Sequence, residues 1–478
     1  MTHQRRRLAL LAAAAALYAL CRRAYYVGFF NDDALAILGA RSLLSGRYFA
    51  DALPGFSLIL APLAAVSGQA LWPYRAAAIL LTLAALWFFA DVAETLCPDT
   101  PLAAVALAAF SPLTLSMSAT VLSDVPMLAG AMAALAWAKH LWQEKQLVRW
   151  LPLTILVGFC ALLRPTGIAL ALAFTLALAF ERRWREAALF YLMGCFFLVP
   201  YLFRRRLLTG EGSFLSLNIS NLSGNLGYYL KLIFATMLFR FPKDPAVLVA
   251  VAVGVGAVAA GYGLRDAGWK GWRKLPALFL ALFLGAHLLW GRQAGRYALP
   301  MLPIIYAYFL RGMAVLGGRA AKDRRKLAWG AATLSLALLA VPDFRVAQSA
   351  LAGTAGPRPP QRVAAWIRAN TADSSIFAVE LDARFSLLTN RRAVRLPKLF
   401  APDDFHNWLL AQSVSFVAAF PSEPALAAAR SDAPVDPLPA GSLLTLLADT
   451  SRYELVCIDP IERAAVYRVK PVVASAAD

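Results

Sequence analysis

Residues 8–34 read LALLAAAAALYALCRRAYYVGFFNDDA, an apolar run that is interrupted once by two arginines and ends in two adjacent carboxylates. Such a run predicts a helix that crosses a membrane, because about 20 apolar residues span the hydrocarbon core of a bilayer. Arg22 and Arg23 can reach the interface with their long side chains. Asp32 and Asp33 follow the run. Charge near lipid is costly, so this pair predicts a watery cavity or a functional site.

The composition of the whole chain agrees with a multi-span helical membrane protein. Its 478 residues are 60% hydrophobic and 16% charged, and their formal net charge is +19. The basic residues form short clusters between apolar runs, which is typical of cytoplasmic loops and argues against nucleic-acid binding. The five cysteines include no CxxC pair and the four histidines are scattered, so neither a disulfide framework nor a zinc site is predicted.

The start of the chain also resembles a secretory signal, since Arg5, Arg6 and Arg7 precede a short apolar run. No small-residue cleavage pattern follows, and apolar character resumes at 25–30. An uncleaved first span is therefore the favoured interpretation.

Length and apolarity predict about eleven transmembrane helices. An odd number puts Asp32, Asp33, Asp124 and the C-terminal tail on the outer face, and most basic clusters on the inner face. The acidic segment 91–99 disagrees, since it is assigned to the inner face. The predicted spans are 8–28, 73–94, 101–119, 126–142, 150–163, 165–181, 187–203, 245–264, 275–291, 297–316 and 326–343.

Two further apolar stretches, 55–68 and 225–241, are predicted to be helices at the membrane surface rather than spans. The first is short, and the second contains Lys231 and Arg240. If 225–241 did cross, the tail would face the cytoplasm.

The composition changes near residue 344, which divides the chain into a transmembrane domain, 1–343, and a small extracytoplasmic α/β domain, 344–478. A Gly/Pro linker is predicted at 353–360 and a surface loop at 434–439. Acids such as Glu380 and Asp382 are expected on a soluble surface or in an acceptor cleft at a strand end. Predicted strands are 375–379, 414–420, 453–458 and 464–469, and predicted helices are 361–370 and 403–413.

The order of several short motifs resembles one family of membrane enzymes. The motifs are the acidic pair after span one, Leu43-Leu44-Ser45-Gly46 at a helix end, Pro54-Gly55, Asp124 before Pro126, and Arg296-Tyr297 before Pro300. This order resembles the GT-C membrane glycosyltransferases, in the bacterial branch similar to protein O-mannosyltransferases and lipid A aminoarabinose transferases. The resemblance covers about 1–343 in layout.

The resemblance implies a polyprenyl-phosphate sugar as donor. It also implies transfer, usually with inversion, to a glycan, lipid or protein acceptor on the outer side of a bacterial cytoplasmic membrane. Such a transfer needs a carboxylate to take the acceptor proton and cations to stabilise the departing phosphate. Asp32 or Asp33 would be the base, with Asp32 favoured, although either carboxylate could simply cap a helix.

Asp124 corresponds to the family's second-loop acid, which orients the acceptor or, in metal-using relatives, helps to hold a divalent cation. It could instead be a helix cap, with proline near the first turn. Because no further clustered ligand is visible, metal dependence stays open.

Four residues are expected to bind the donor phosphate: Arg164, Arg292, Arg296 and Tyr297. Arginine suits this role because its planar fork binds phosphate through two hydrogen bonds without losing its charge. The alternative is that these side chains, like Trp290, only anchor the protein at the interface.

Two rival functions remain at this point. A transporter or flippase of lipid-linked sugars would also need outer charges, but it should show paired halves or interrupted helices. A polysaccharide polymerase or ligase would use basic residues of one large outer loop, and 204–243 is such a loop.

Overall fold

Helices dominate the chain up to residue 351. The computed structural model of the protein describes residues 3–22, 31–46, 54–68, 70–209, 219–235, 246–290, 294–320, 324–351, 360–397, 402–419, 443 and 446–471. The helices are α1 (His3–Cys21), α2 (Asn31–Leu44), α3 (Pro54–Ser67), α4 (Trp72–Leu96), α5 (Pro101–Ala109), α6 (Pro112–Ser118), α7 (Asp124–Leu141), α8 (Leu147–Leu163), α9 (Ile168–Phe180), α10 (Trp184–Thr209), α11 (Leu222–Leu230), α12 (Ala246–Ala267), α13 (Lys274–Leu289), α14 (Leu302–Ala320) and α15 (Arg324–Leu351).

Three helical segments in the described part of the chain are long and apolar enough to cross a membrane: Trp72–Leu96, Gly271–Leu289 and Arg325–Gln348. A fourth crossing is formed if the bent pair α5 and α6 is one span. The predicted mostly helical membrane fold is therefore confirmed in its broad form, whereas the number eleven stays a prediction.

The predicted span 101–119 is broken in the structure. Helices α5 and α6 meet at an angle of 57°. Pro112 causes the break, because its ring removes a backbone donor and forces the preceding residue out of the helical region. Ser111 accordingly has φ −65° and ψ 131°. The Tyr18 hydroxyl donates a buried hydrogen bond to the freed carbonyl of Ala109, at 2.7 Å.

The acidic segment 91–99 lies among basic side chains. Arg7 of α1 pairs with Asp91 at 2.8 Å, and Arg325 of α15 pairs with Asp99 at 3.5 Å. These ion pairs explain an exception in the charge pattern: the acids neutralise basic residues at the same end of the bundle.

Helices α12 and α14 cross with their backbones in contact. A β-carbon added to Gly263 would lie 1.8 Å from the Tyr308 carbonyl oxygen, and one added to Gly312 would lie 1.7 Å from the Ala259 carbonyl oxygen. In a membrane the hydrophobic effect does not drive helices together, because lipid is as apolar as the helices. Small residues at a crossing instead let the two backbones approach closely enough for van der Waals packing.

The C-terminal part contains the predicted small α/β unit. Its five-stranded sheet has the order β2-β1-β3-β5-β4, in which β1 is parallel to β2 and β3, and β5 is antiparallel to β3 and β4. The elements are α16 (Gln361–Asn370), β1 (Ile376–Val379), α17 (Asp382–Thr389), β2 (Arg392–Arg395), α18 (Pro402–Ala411), β3 (Phe416–Ala419), β4 (Tyr453–Asp459) and β5 (Ala464–Val469).

Both faces of this sheet are buried. Phe377 and Phe416 stack on one face beneath Ile367 of α16, while Val417 packs with Leu409 of α18 on the other. The predicted strands and helices are found to within two residues at each end. Helix α17 and the short edge strand β2 were not predicted. Residues 353–359 of the predicted linker and the predicted loop 434–439 lie outside the described residues.

Candidate active site

Asp32 and Arg296 form an ion pair between two distant parts of the chain. Asp32 lies in the first turn of α2, where a carboxylate is stabilised by the helix dipole. Arg296 lies on the one-turn helix Gly295–Ala298 and donates to Asp32 Oδ2. Burial alone would lower the pKa of Arg296, but the carboxylates of Asp32 and Asp124 raise it by more, so the guanidinium stays charged. The Asp32 side chain is still 53% exposed.

Asp33, the neighbour of Asp32, has a different environment. Asp33 is fully buried, and Arg75 of α4 lies within reach of its charge. Of the two adjacent acids, Asp32 alone is open to a molecule entering from outside the bundle.

Asp124 and Arg164 form a second, buried ion pair. Asp124 begins α7, and Arg164 lies in extended backbone where α8 ends, with φ −151° and ψ 141°. Arg164 Nη1 donates to Asp124 Oδ1. The side chains are 10% and 1% exposed, so each charge depends on the other for compensation. A β-carbon on Gly167 would lie 2.1 Å from the Cys160 carbonyl oxygen, so the turn behind Arg164 needs glycine.

The two ion pairs meet on the ring of Tyr297. The guanidinium carbon of Arg164 lies 4.6 Å from the ring centroid, and that of Arg296 lies 5.5 Å from it. A tyrosine ring attracts cations through its quadrupole, so one ring holds two arginines that would otherwise repel each other.

An aromatic stack supports Tyr297. The ring lies 5.0 Å from His287 at an interplanar angle of 18°, and 5.2 Å from Trp290 at 6°. His287 is fully buried, and neither ring nitrogen has a hydrogen-bond partner within the described residues. Within the described residues, the imidazole contributes stacking area to the site.

Asn31, the first residue of α2, joins the site to the C-terminal domain. Its Nδ2 donates to Asp382 Oδ1 at 3.1 Å, and its Oδ1 accepts from the Arg384 backbone N–H at 3.0 Å. Both partners lie in the first turn of α17. The C-terminal domain thus contacts the chain one residue before Asp32.

A pocket at the carboxyl end of β1 lies beside this contact. Glu380 and Arg384 line it together with apolar residues of α16 and α17. Burial raises the pKa of Glu380, while the guanidinium groups of Arg384 and Arg395 partly oppose the shift. Clefts at the carboxyl ends of parallel strands are common binding sites.

The described donor set does not fit a divalent cation. Within the ranges that the structure describes, no three His, Cys, Asp or Glu side chains come together. Asp32 and Asp124 each already have an arginine counter-charge. Among the described residues, the charged groups of this site are carboxylates and guanidinium groups.

Five of the seven predicted site residues come together in the structure. They are Asp32, Asp124, Arg164, Arg296 and Tyr297. Asp33 lies beside this group but faces Arg75, and Arg292 lies outside the described residues.

Sequence reasoning missed the roles of Asn31 and His287, and it named Asp382 only as a residue of a soluble surface or an acceptor cleft. Asn31 could have been noticed, because a buried amide beside two acids needs partners for both of its polar atoms. His287 gives no local signal of its stacking on Tyr297, and the contact of Asp382 with Asn31 joins residues that are 351 positions apart.

Comparison with solved structures shows the same fold in other proteins. The crystal structure of ArnT from Cupriavidus metallidurans bound to undecaprenyl phosphate matches with a TM-score of 0.61 at 13% identity, over 96% of this chain and 97% of that chain. The apo state of that protein matches with a TM-score of 0.60 at 14% identity, over 96% and 97%. The Archaeoglobus fulgidus oligosaccharyltransferase, in complex with Zn and sulfate, matches with a TM-score of 0.51 at 12% identity, over 86% and 68%.

These matches confirm, at the level of the fold, the predicted resemblance to the GT-C membrane glycosyltransferases. Residues 51–203 match the family model described as dolichyl-phosphate-mannose-protein mannosyltransferase, which covers less than half of the chain. A search of curated proteins gives no match.

Proposed function

We propose that this protein transfers a sugar from a polyprenyl-phosphate donor to a hydroxyl group of a glycan, lipid or protein acceptor, with inversion and with Asp32 as general base. The observation that carries the proposal is the pair of ion pairs on Tyr297. An accessible carboxylate lies beside one arginine, and a second arginine contacts the same tyrosine ring. A base next to two cations is what displacement of a lipid phosphate requires.

The arginines would stabilise the leaving group. When the bond between the sugar C1 and the phosphate oxygen breaks, the phosphate monoester gains a negative charge. Arg164 and Arg296 can share that charge, each through a planar fork of donors. ArnT of Cupriavidus metallidurans has been crystallised with undecaprenyl phosphate, which supports a donor of this kind.

Asp32 would accept the proton of the attacking hydroxyl. The acceptor oxygen attacks C1 from the face opposite the phosphate, and the configuration at C1 inverts. Without donor, Arg296 donates to Asp32 Oδ2 and so occupies one oxygen of the carboxylate. A donor phosphate competes for Arg296 and frees Asp32, so the base becomes active only when the donor is bound.

Asp124 would act through Arg164. Its carboxylate is 1% exposed, and Oδ1 accepts from Arg164. A group this buried has no route to an acceptor. It instead fixes the guanidinium, and its negative charge offsets the desolvation cost of the buried arginine. We assign to it the orientation of Arg164 rather than proton transfer.

The site would face the outside of a bacterial cytoplasmic membrane, with the C-terminal domain on the same side. Basic clusters near Arg183, Lys274 and Arg325 support this orientation, because cytoplasmic loops carry the excess of positive charge. The contact between Asn31 and Asp382 keeps the C-terminal domain at the site end of the bundle.

The test compares donor-lipid binding and sugar transfer in two arginine variants. Arg296→Ala removes the guanidinium beside Asp32. Arg311→Ala is a matched control, since Arg311 is similarly buried, 15% against 18% exposed, and pairs with Asp266 at 2.8 Å. Full-chain protein in nanodiscs is given undecaprenyl phosphate, and the shift in melting temperature is recorded. Transfer is then measured with radiolabelled undecaprenyl-phosphate mannose and aminoarabinose and a bacterial envelope extract.

We expect undecaprenyl phosphate to stabilise the wild type and Arg311→Ala but not Arg296→Ala. We expect label to reach an acceptor with the first two proteins, and Arg296→Ala to be about 10²–10³-fold slower, as for loss of one oxyanion-stabilising donor. If both variants bind and transfer equally, Arg296 has no part in donor binding. Binding of the lipid without any transfer would favour a transporter.

A further inference from the structure

The two hydrogen bonds between Asn31 and α17 have a fixed direction of donation. One atom of the amide faces the Asp382 carboxylate, which only accepts, and the other faces the Arg384 backbone N–H, which only donates. The amide can satisfy both partners in one orientation only, with Nδ2 towards Asp382 and Oδ1 towards Arg384. Asn31 is 6% exposed, so water cannot replace these bonds cheaply.

The contact is also close to the proposed base. Asn31 is the first residue of α2 and immediately precedes Asp32. Asp382 is in turn held by Arg395 of β2, whose Nε lies 3.5 Å from Asp382 Oδ1. A series of polar contacts therefore runs from the sheet of the C-terminal domain, through α17, to the residue before Asp32.

We propose that Asn31 is a positioning residue: it fastens the C-terminal domain to the start of α2 and so holds the Asp32 carboxylate in line with the donor site. This inference rests on the proposed role of Asp32. The domain that contacts the start of α2 then also sets the geometry of the base. Displacement of a reacting group by about 1 Å can cost about 10²-fold in rate, so a contact one residue away is close enough to matter.

The polarity of the contact permits a swap experiment. Asn31→Asp keeps the oxygen that accepts from Arg384 but sets two carboxylates against each other where a 3.1 Å hydrogen bond now lies. Adding Asp382→Asn restores a donor and an acceptor with their positions exchanged. Asn31→Ala removes both bonds without adding charge. Asn370→Asp is a matched control, because Asn370 is exposed and bonds within α16, to the Trp366 carbonyl oxygen at 2.8 Å.

Two readouts are needed, both on the full chain in nanodiscs. Hydrogen exchange of the peptide that contains the Arg384 amide reports whether the contact is present, whatever the protein catalyses. Steady-state transfer from a radiolabelled undecaprenyl-phosphate sugar reports kcat and the donor KM. We expect Asn31→Asp and Asn31→Ala to expose the Arg384 amide and to lower kcat by about 10²-fold with the donor KM nearly unchanged.

The swapped double variant should regain amide protection and most of kcat, and Asn370→Asp should behave like the wild type. Faster exchange in Asn31→Ala with an unchanged kcat would overturn the positioning role. Unchanged exchange in Asn31→Ala would overturn the contact itself. Absence of transfer by the wild type would count against the proposed function, and the exchange readout would still decide whether Asn31 fastens the domain.

Discussion

At the scale of single residues, the site is a set of mutually dependent charges. Arg164 and Asp124 are both buried, and each compensates the other. Removing one partner of a buried ion pair typically costs about 3–5 kcal/mol, since it leaves an uncompensated charge. Replacing both partners by apolar residues can restore stability, because the large desolvation cost of burying two charges is then removed.

We predict that Asp124→Asn lowers the free energy of unfolding by about 3 kcal/mol. The double variant Asp124→Leu with Arg164→Leu should recover much of that loss yet fail to bind undecaprenyl phosphate. Chemical denaturation in detergent, followed by a binding assay, checks both parts. A double variant that binds the lipid as well as the wild type would rule out Arg164 as a phosphate ligand.

The sequence was sufficient to nominate most charged residues of the site, because charge beside apolar runs is conspicuous. It could not pair them. Asp32 and Arg296 are separated by 264 positions, and their contact depends on how several helices pack. It favoured Asp32 over Asp33 only through the resemblance, since the burial of Asp33 and the exposure of Asp32 arise from neighbours such as Arg75 on α4.

At the scale of elements, the backbone contact between α12 and α14 depends clearly on the size of the side chains at the crossing. Gly263 and Gly312 leave no room for a β-carbon, whereas Gly261, two residues away on α12, meets nothing within 4 Å. Apolar periodicity predicts that both segments are helices, but it does not predict that they touch. Close helix contact in lipid relies on small residues at the crossing.

We predict that Gly263→Ala or Gly312→Ala lowers the melting temperature, because the helices must separate to admit the methyl group. Gly261→Ala should raise it slightly or leave it unchanged, since alanine favours the helix and has space. Melting curves of the three variants in the same detergent make the comparison. Equal behaviour of Gly261→Ala and Gly263→Ala would show that α12 and α14 do not cross as described.

In the C-terminal domain, the sequence predicts the longer apolar strands but not the shortest elements. Strands β1, β3, β4 and β5 are apolar runs between turn residues, and they were predicted. Strand β2 reads Arg-Ala-Val-Arg at an edge of the sheet, and α17 covers only eight residues. Both are short and polar enough to resemble loops, and their structure depends on the sheet beside them.

At the scale of the whole molecule, the two ends of the helical bundle differ in their charged residues. The end that contains Asp32, Asp124 and Asp382 meets the C-terminal domain. The other end has ion pairs between basic residues and acids, among them Arg7 with Asp91. Positive-inside asymmetry predicts which end is cytoplasmic, but the number of crossings does not follow from the three long apolar segments alone.

We predict that the C-terminal domain and the first turn of α8 lie on opposite sides of the membrane. Asp373→Cys and Arg149→Cys would introduce exposed thiols, since these side chains are 92% and 58% exposed. A membrane-impermeant thiol reagent on intact spheroplasts should label the first variant, and should label the second only after permeabilisation. Labelling of both, or of Arg149→Cys alone, would contradict the orientation.

The central claim is that Asp32, rather than its buried neighbour, takes the acceptor proton. The most direct measurement is the single-turnover rate of sugar transfer from a radiolabelled undecaprenyl-phosphate sugar by wild type, Asp32→Asn and Asp33→Asn, each first shown to be folded and to bind the lipid. The account predicts a loss of about 10²–10⁴-fold for Asp32→Asn, as for removal of a general base, and a rate of the same order as wild type for Asp33→Asn. A folded Asp32→Asn that still transfers at the wild-type rate would contradict it.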